Sequence, residues 1–376
     1  MVGRSLVVRL AWTLAAALTV ALALPTAGVS AVSRTTAATT EAVGTWAPAR
    51  SMAVVRSRHT ATALQDGRVL VVGSIYRDRT AEVYDPARNR WRSAGTLSAS
   101  RFDHVAVRLA DSRVLVAGGT GYVRTAEIYN PATNTWTPTG SMHDGRSNFT
   151  ATLLRDGRVL VVGGHGGSLG ILATAELYDP ATGAWTRVAS MQTPRWRHAA
   201  VLLADGTVLV VAGYNSSGVP RNAERFDPAS GSWRAAGVNT ADRLGASATL
   251  LTDGRVLVPG GGLGPTCSTA EIYDPATNGW ARTGSMSTGW CRNLATLLAD
   301  GSVLIAGGWY RGEVFSPATE TWTPTGNMVN WYQNESAMSP LPGGRVLVAG
   351  GEHDVCDPGG EVCQPVSVNT AEIFTP

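Results

Sequence analysis

One phrase recurs seven times along this chain: an apolar run closing on two small residues, then a Glu, an aromatic-Asx-Pro turn and a Trp. The runs begin at Val69, Val114, Val159, Val208, Val256, Val303 and Val346, and the tryptophans are Trp46, Trp91, Trp136, Trp185, Trp233, Trp280 and Trp322. Copies are spaced roughly 45 to 50 residues apart, within the band in which a repeat means a propeller or a solenoid.

Each copy reads as four strands. In the second, His104 to Ala110 alternates with small and β-branched residues and predicts an inner strand. Asp-Gly at Asp66-Gly67, Asp156-Gly157, Asp205-Gly206, Asp253-Gly254 and Asp300-Gly301 predicts two-residue hairpin turns, because both turn positions want positive φ. The run Arg113 to Gly119 reads as a strand buried on both faces, ending in Gly118-Gly119, which let backbone approach backbone. Thr125 to Tyr129 predicts a third strand, Asn130-Pro131 a turn, and Trp136 the start of an outer fourth strand. The expected architecture is all-β: a seven-bladed propeller of four antiparallel strands per blade over residues 44–376. A lone fourth strand at Thr45-Trp46 and a lone third strand at Ala371–Phe374 predict that the two ends share one blade and close the ring.

Residues 1–31 are expected to be a secretory signal peptide: Arg4 and Arg9 precede an apolar stretch from Leu10 to Leu24, and Val29-Ser30-Ala31 resembles a cleavage site. An uncleaved anchor is the alternative, since the stretch approaches the ~18 residues of a membrane span. Residues 32–43, rich in Thr, Ala and Ser, read as a disordered leader. The expected location is therefore extracellular or cell-surface, with no stable membrane span after cleavage. All 31 basic residues are Arg and the formal net charge is +3, which is no electrostatic footprint for nucleic acid. Four Cys in an exported chain predict two disulfides, Cys267–Cys291 and Cys356–Cys363.

The small pair, the Glu-x-aromatic-Asx-Pro segment and the spaced Trp resemble Kelch repeats. Gly118-Gly119/Tyr129/Trp136, Gly163-Gly164/Tyr178/Trp185, Gly260-Gly261/Tyr273/Trp280 and Gly307-Gly308/Phe315/Trp322 carry the resemblance. Gly73-Ser74 and Ala212-Gly213 depart from it while keeping small residues. The whole is similar to the central propeller of the galactose oxidase group, whose resemblance implies copper held by Tyr and His. Here no Tyr precedes any of the six His, the C-terminal domain that would supply a further His is not expected beyond the last strand, and the Cys are assigned to disulfides. Copper chemistry is not expected, nor any other cofactor or metal.

Antiparallel strands place two loop sets on one face: the inter-blade loops leading to each first strand, and the loops between second and third strands. That face is the expected functional one, since variable loops on a rigid scaffold carry binding. Aligning the inter-blade loops gives one column of Arg56, Arg101, Arg146, Arg195, Arg243, Trp290 and Tyr332, and a second, three residues on, of His59, His104, Phe149, His198, Ala246, Asn293 and Glu335. The arginines, with the repeated Glu82, Glu127, Glu176, Glu224, Glu271, Glu313 and Glu372, are expected to form ion pairs fastening neighbouring blades. The histidines are expected to be structural. Residues outside the repeat stand out as binding candidates: Trp196, Trp290, Trp309, Tyr310, Trp331 and Tyr332 to stack on a ligand, Asn293, Gln333 and Asn334 to bond it. They suit a glycan or an extracellular protein, and the sequence favours a binding module over an enzyme. The alternatives are a sugar-active enzyme of the mutarotase kind, with Glu335 as base and His353 as acid, and a structural envelope component.

Overall fold

In a computed structural model the described residues are 42–376, apart from 77, 263, 308–309, 331–334 and 357–362 and the side chains of Asp354, Cys356 and Cys363. The expected signal peptide lies outside them, as does the leader up to residue 41. Seven four-stranded antiparallel sheets and one two-stranded hairpin account for the strands, with three short 3-10 turns. Blade one comprises Thr60–Ala63, Val69–Val72, Thr80–Asp85 and Arg90–Thr96. Blades two to six repeat the pattern, their first strands being Val105–Arg108, Thr150–Leu153, Trp196–Leu202, Thr249–Leu250 and Leu294–Leu297. Blade seven is Ala337–Pro340, Val346–Ala349 and Ala371–Thr375, completed by Thr45–Ala49 from the other end of the chain.

The ring is closed. First strands of successive blades touch all the way round, blade seven against blade one included. Trp46 opposes Phe374 across the closing pair, their rings 5.1 Å apart.

Why the second strand must be apolar on both faces is visible in blade one. Val69 and Val71 pack toward blade seven with Leu347 and Ala349. Leu70 and Val72 pack toward blade two with Val114 and Val116. All four are fully buried, and burying such a side chain contributes about 1.5–3 kcal/mol. The repeated Trp ties the outer edges. In blades one to six its ring lies 4.9–5.1 Å from the aromatic residue of its own third strand. Its indole N–H donates backwards, Trp136 to the Ala94 carbonyl at 2.6 Å and Trp280 to Ala236 at 2.9 Å. Trp46 donates to Thr325 Oγ1 of blade six at 2.9 Å, so the closing strand joins the same system.

A hairpin, Glu352–Cys356 with Cys363–Ser367, is inserted between the second and third strands of blade seven. Its register places Cys356 opposite Cys363, while the expected bridge between their side chains lies outside the described residues. The Cys267–Cys291 disulfide is formed; it joins a loop of blade five to the loop leading into blade six. Among the described residues no helix is long and apolar enough to cross a membrane.

Removal of residues 42–49 should lower Tm by about 10 °C or more and produce oligomers, because the Ala371–Thr375 edge loses its cover. Light scattering and calorimetry check this; a monomer of unchanged Tm would contradict closure by this strand.

Candidate functional site

Five of the repeated arginines are buried at 0–1 % exposure, and each performs the same double task. Arg101 donates through its guanidinium to the carbonyls of Gly118 and Thr125, to Thr125 Oγ1 and to Glu127 Oε1, all at 2.9–3.0 Å and all within blade two. Its own carbonyl accepts the Ser74 N–H of blade one at 3.1 Å. Arg146 repeats this one blade on, pairing with Glu176 at 2.8 Å and accepting from Gly119 N–H at 2.9 Å. The ion pair thus anchors each inter-blade loop to the blade it enters, and the arginine backbone reaches the blade it has left. Burial would raise the Glu176 carboxyl, but hydrogen bonds from His143 and the Asp144 N–H, with the Arg146 charge, hold it below the usual range.

Two sequence-selected candidates, Trp290 and Asn293, belong to this framework. Trp290 is 1 % exposed. It replaces the arginine of blade six, donating Nε1–H to Glu313 Oε1 at 3.1 Å while its carbonyl accepts Gly261 N–H at 2.9 Å. An indole packed on Met286 and Ile305 fills the guanidinium's place. Asn293 is likewise buried; its amide donates to the Pro259 carbonyl at 2.9 Å and accepts from Ser247 of blade five at 2.5 Å. His104 and His198 make the equivalent contacts to Thr60 and Thr150 of the preceding blades at 3.0 and 2.9 Å.

Glu335 does not join the His59 column. The residues at the axis are Arg58, Asp103, Asn148, Arg197, Gly245 and Glu335, all at positive φ of 51–69°. A non-glycine residue there costs roughly 1–2 kcal/mol, and a chain of backbone hydrogen bonds offsets it. Arg58 N–H donates to Glu335, Asp103 to Arg58, Asn148 to Asp103, Arg197 to Asn148 and Gly245 to Arg197, at 2.9–3.3 Å. Blade seven is therefore offset by one residue from the repeat alignment. Ser336 stands in the histidine place, its Oγ 3.1 Å from where a Cβ on Gly307 would lie.

At the axis a cavity of about 180 Å³ is lined by Asn148, Arg197, Arg292, Asn293, Glu335 and Ser336. Glu335 Oε1 lies 2.5 Å from Arg292, 3.6 Å from Arg197 and 3.8 Å from Arg58. Arg58 also reaches Asp103 at 3.6 Å. Burial pushes the Asp103 carboxyl up, against the Arg58 charge. Burial first, then the Arg292 charge, lowers Arg197.

Asn148 also lines a neighbouring cleft of about 370 Å³, walled by Phe102, Asp103, Tyr122, His165 and Trp196. Ring centroids run 5.3 Å from Tyr122 to His165, 6.1 Å from His165 to Trp196 and 6.4 Å from Trp196 to Tyr214. Tyr122 and Tyr214 are exposed, Trp196 half-buried. Gly167 N–H donates to His165 Nδ1 at 3.1 Å, so the neutral ring carries its proton on Nε2.

Among the described residues, Trp196 is thus the selected aromatic that lines a cleft. Tyr310 is exposed on blade six with the Arg311 guanidinium 6.0 Å from its ring. Trp309, Trp331, Tyr332, Gln333 and Asn334 lie outside the described residues. His353 is on the blade-seven hairpin, paired with Val366, whereas Glu335 is at the axis. Sequence reasoning missed Tyr122, His165 and Tyr214. A signal existed: Tyr76, Tyr122, His165, Tyr214, Trp309 and His353 each follow the small pair of their repeat within three residues. Among the described residues no group of three or more His, Cys, Asp or Glu could hold a metal ion.

With this geometry in view the chain can be placed. Residues 58–261 match the KLHDC2/KLHL20/DRC7 Kelch-repeats domain, and the chain belongs to the Kelch-repeat propellers. Its fold is similar to that of a novel fungal alcohol oxidase of the AA5 family, solved in complex with copper. The TM-score is 0.71 at 20 % identity, covering 89 % of this chain and 76 % of that one. YjhT is similar as well, with a TM-score of 0.60 at 15 % identity over 74 % of this chain and 99 % of that one. No curated protein sequence matches it.

Replacing Arg146 by Met should cost about 3–5 kcal/mol, as expected for stranding a buried Glu176. The double change with Glu176→Gln should cost less than the sum of the two single changes; simple additivity in denaturant melts would contradict the pair. Acid should also weaken the fold. Burial, with nearby Arg charge, lowers His59, His104 and His198 to about 3. The unfolded chain takes up these protons near pH 6.5, so their stability is full above that value and declines as pH falls toward 3. Melts from pH 7 to 4 on the parent and on His104→Gln/His198→Gln check this. The variant should show the shallower decline.

Proposed function

We propose that this Kelch propeller is an exported binding module whose loop-rich face holds a carbohydrate through the Tyr122–His165–Trp196 cleft. Kelch propellers commonly serve as interaction modules, which supports the coarse part of this reading. The observation that carries the finer part is the pairing of aromatic faces with polar groups in one cleft. Sugar rings present C–H faces that stack on Trp and Tyr, while Asp103 and Asn148 are placed to bond hydroxyls. The Cys267–Cys291 disulfide supports an oxidising, extracellular setting.

A mutarotase-like reading needs a carboxylate free to move a proton. Glu335 instead shares one oxygen among three guanidinium groups, which favours a binding role at the axis.

Tyr122→Ala/Trp196→Ala should reduce retention on immobilised glycans at least about tenfold, a loss of ~1.4 kcal/mol. The variant's Tm should stay within a few degrees of the parent. Unchanged retention on every glycan that the parent binds removes the cleft from the site. A parent that binds no glycan but captures an extracellular protein through the same face replaces carbohydrate with protein as the ligand.

A further inference from the structure

The axis cavity holds more cationic charge than its own carboxylates balance. Arg58, Arg197 and Arg292 converge from blades one, four and six on Glu335, and the other carboxylate within reach, Asp103, faces Arg58. Two guanidinium groups, Arg197 and Arg292, thus line the cavity against one carboxylate, Glu335, with the Arg58–Asp103 pair beside it. The backbone that carries these groups is anchored. Arg58, Arg197 and Glu335 all belong to the backbone chain around the axis. Arg292 follows Cys291, which is bonded to Cys267. Arg197 lies 5.3 Å from the Trp196 ring and 3.6 Å from Glu335, so one side chain joins the aromatic cleft to the cationic cavity.

Arginines brought to one point from anchored backbone form a receptor for an oxyanion. Here the oxyanion at that point belongs to the protein. We propose that the axis cavity is a seat for the carboxylate of an acidic sugar, and that Glu335 is its built-in occupant, which a ligand must displace. The adjoining aromatic wall selects a sugar as the bearer of the carboxylate. The seat extends the cleft reading to a charged ligand, yet free anions test it whether or not a glycan is retained.

Removing the occupant's charge should therefore improve binding, the reverse of what a ligand-contacting residue would show. Calorimetric titration at fixed ionic strength compares the parent with Glu335→Gln and Glu335→Gln/Arg292→Gln, using glucuronate, glucose, inorganic sulfate and a short glutamate peptide. Glucuronate should bind Glu335→Gln about tenfold or more tightly than the parent, the displacement cost having been removed. Glucose should gain nothing, and the gain should vanish when Arg292 is also replaced. Glucuronate binding no tighter than in the parent, or a gain that survives loss of Arg292, overturns the seat. Sulfate gaining without glucuronate, or an acidic peptide gaining more than glucuronate, overturns the acidic-sugar assignment. Where Glu335→Gln does not fold, Glu335→Asp serves. It keeps the charge but withdraws it by one methylene, and must still raise glucuronate affinity for the proposal to stand.

Discussion

The buried arginine between blades is the contact on which this ring depends. A propeller made of separate sheets has no backbone ladder from one sheet to the next. Each interface must be held by side chains and by the segments that cross it. Five buried arginines meet that need: each satisfies a carboxylate and two carbonyls in one blade, four of them a threonine as well, while their own carbonyls reach the blade before. Such a guanidinium cannot be buried unpaired without a penalty of several kcal/mol, so the loop that carries it has one acceptable path. That path delivers the next residues, two positions on, to the axis at positive φ. The architecture of the cavity mouth is therefore a by-product of how the blades are joined.

Blade six shows how far the arrangement tolerates change. Trp290 reaches Glu313 with one N–H where arginine would use several, and the Cys267–Cys291 disulfide crosses the same junction. A covalent link stands where the polar link is thinnest. Asn293 similarly does with an amide what His104 and His198 do with imidazole. These substitutions stand out in an alignment of repeats because they break its register. They prove to be equivalents chosen for the same geometry.

This explains what the sequence disclosed and what it concealed. Blade number, strand order and closure by Trp46 follow from periodicity, because every repeat must bury the same strand against two neighbours; the disulfide at Cys267 follows from the cysteine count. The tight face was legible from its Asp-Gly pairs, although only the glycine of each pair takes positive φ and each loop holds three residues where two were expected. Trp290 was misplaced because an aromatic outside the consensus looks alike whether it replaces a core residue or faces solvent; only the hydrogen bond to Glu313 separates the two. Glu335 was misplaced by one residue because repeat alignment cannot register an offset within a loop. Tyr122, His165 and Tyr214 were passed over since their loops differ in length. Ring curvature brings Tyr122, His165 and Trp196 of blades two, three and four to one cleft, with Tyr214 against the edge of Trp196.

The closing pair has a mechanical consequence. Thr45 lies opposite Thr375, so the segments flanking both strands leave the sheet at the same end of the ladder. Tension applied through those flanks would load one rung after another, as in opening a zipper, instead of shearing all rungs together. Resistance to pulling would then come chiefly from the Trp46–Phe374 contact and the Trp46 tie to Thr325. A particle or surface tethered through both flanks would yield first at this seam, with the other six sectors still folded.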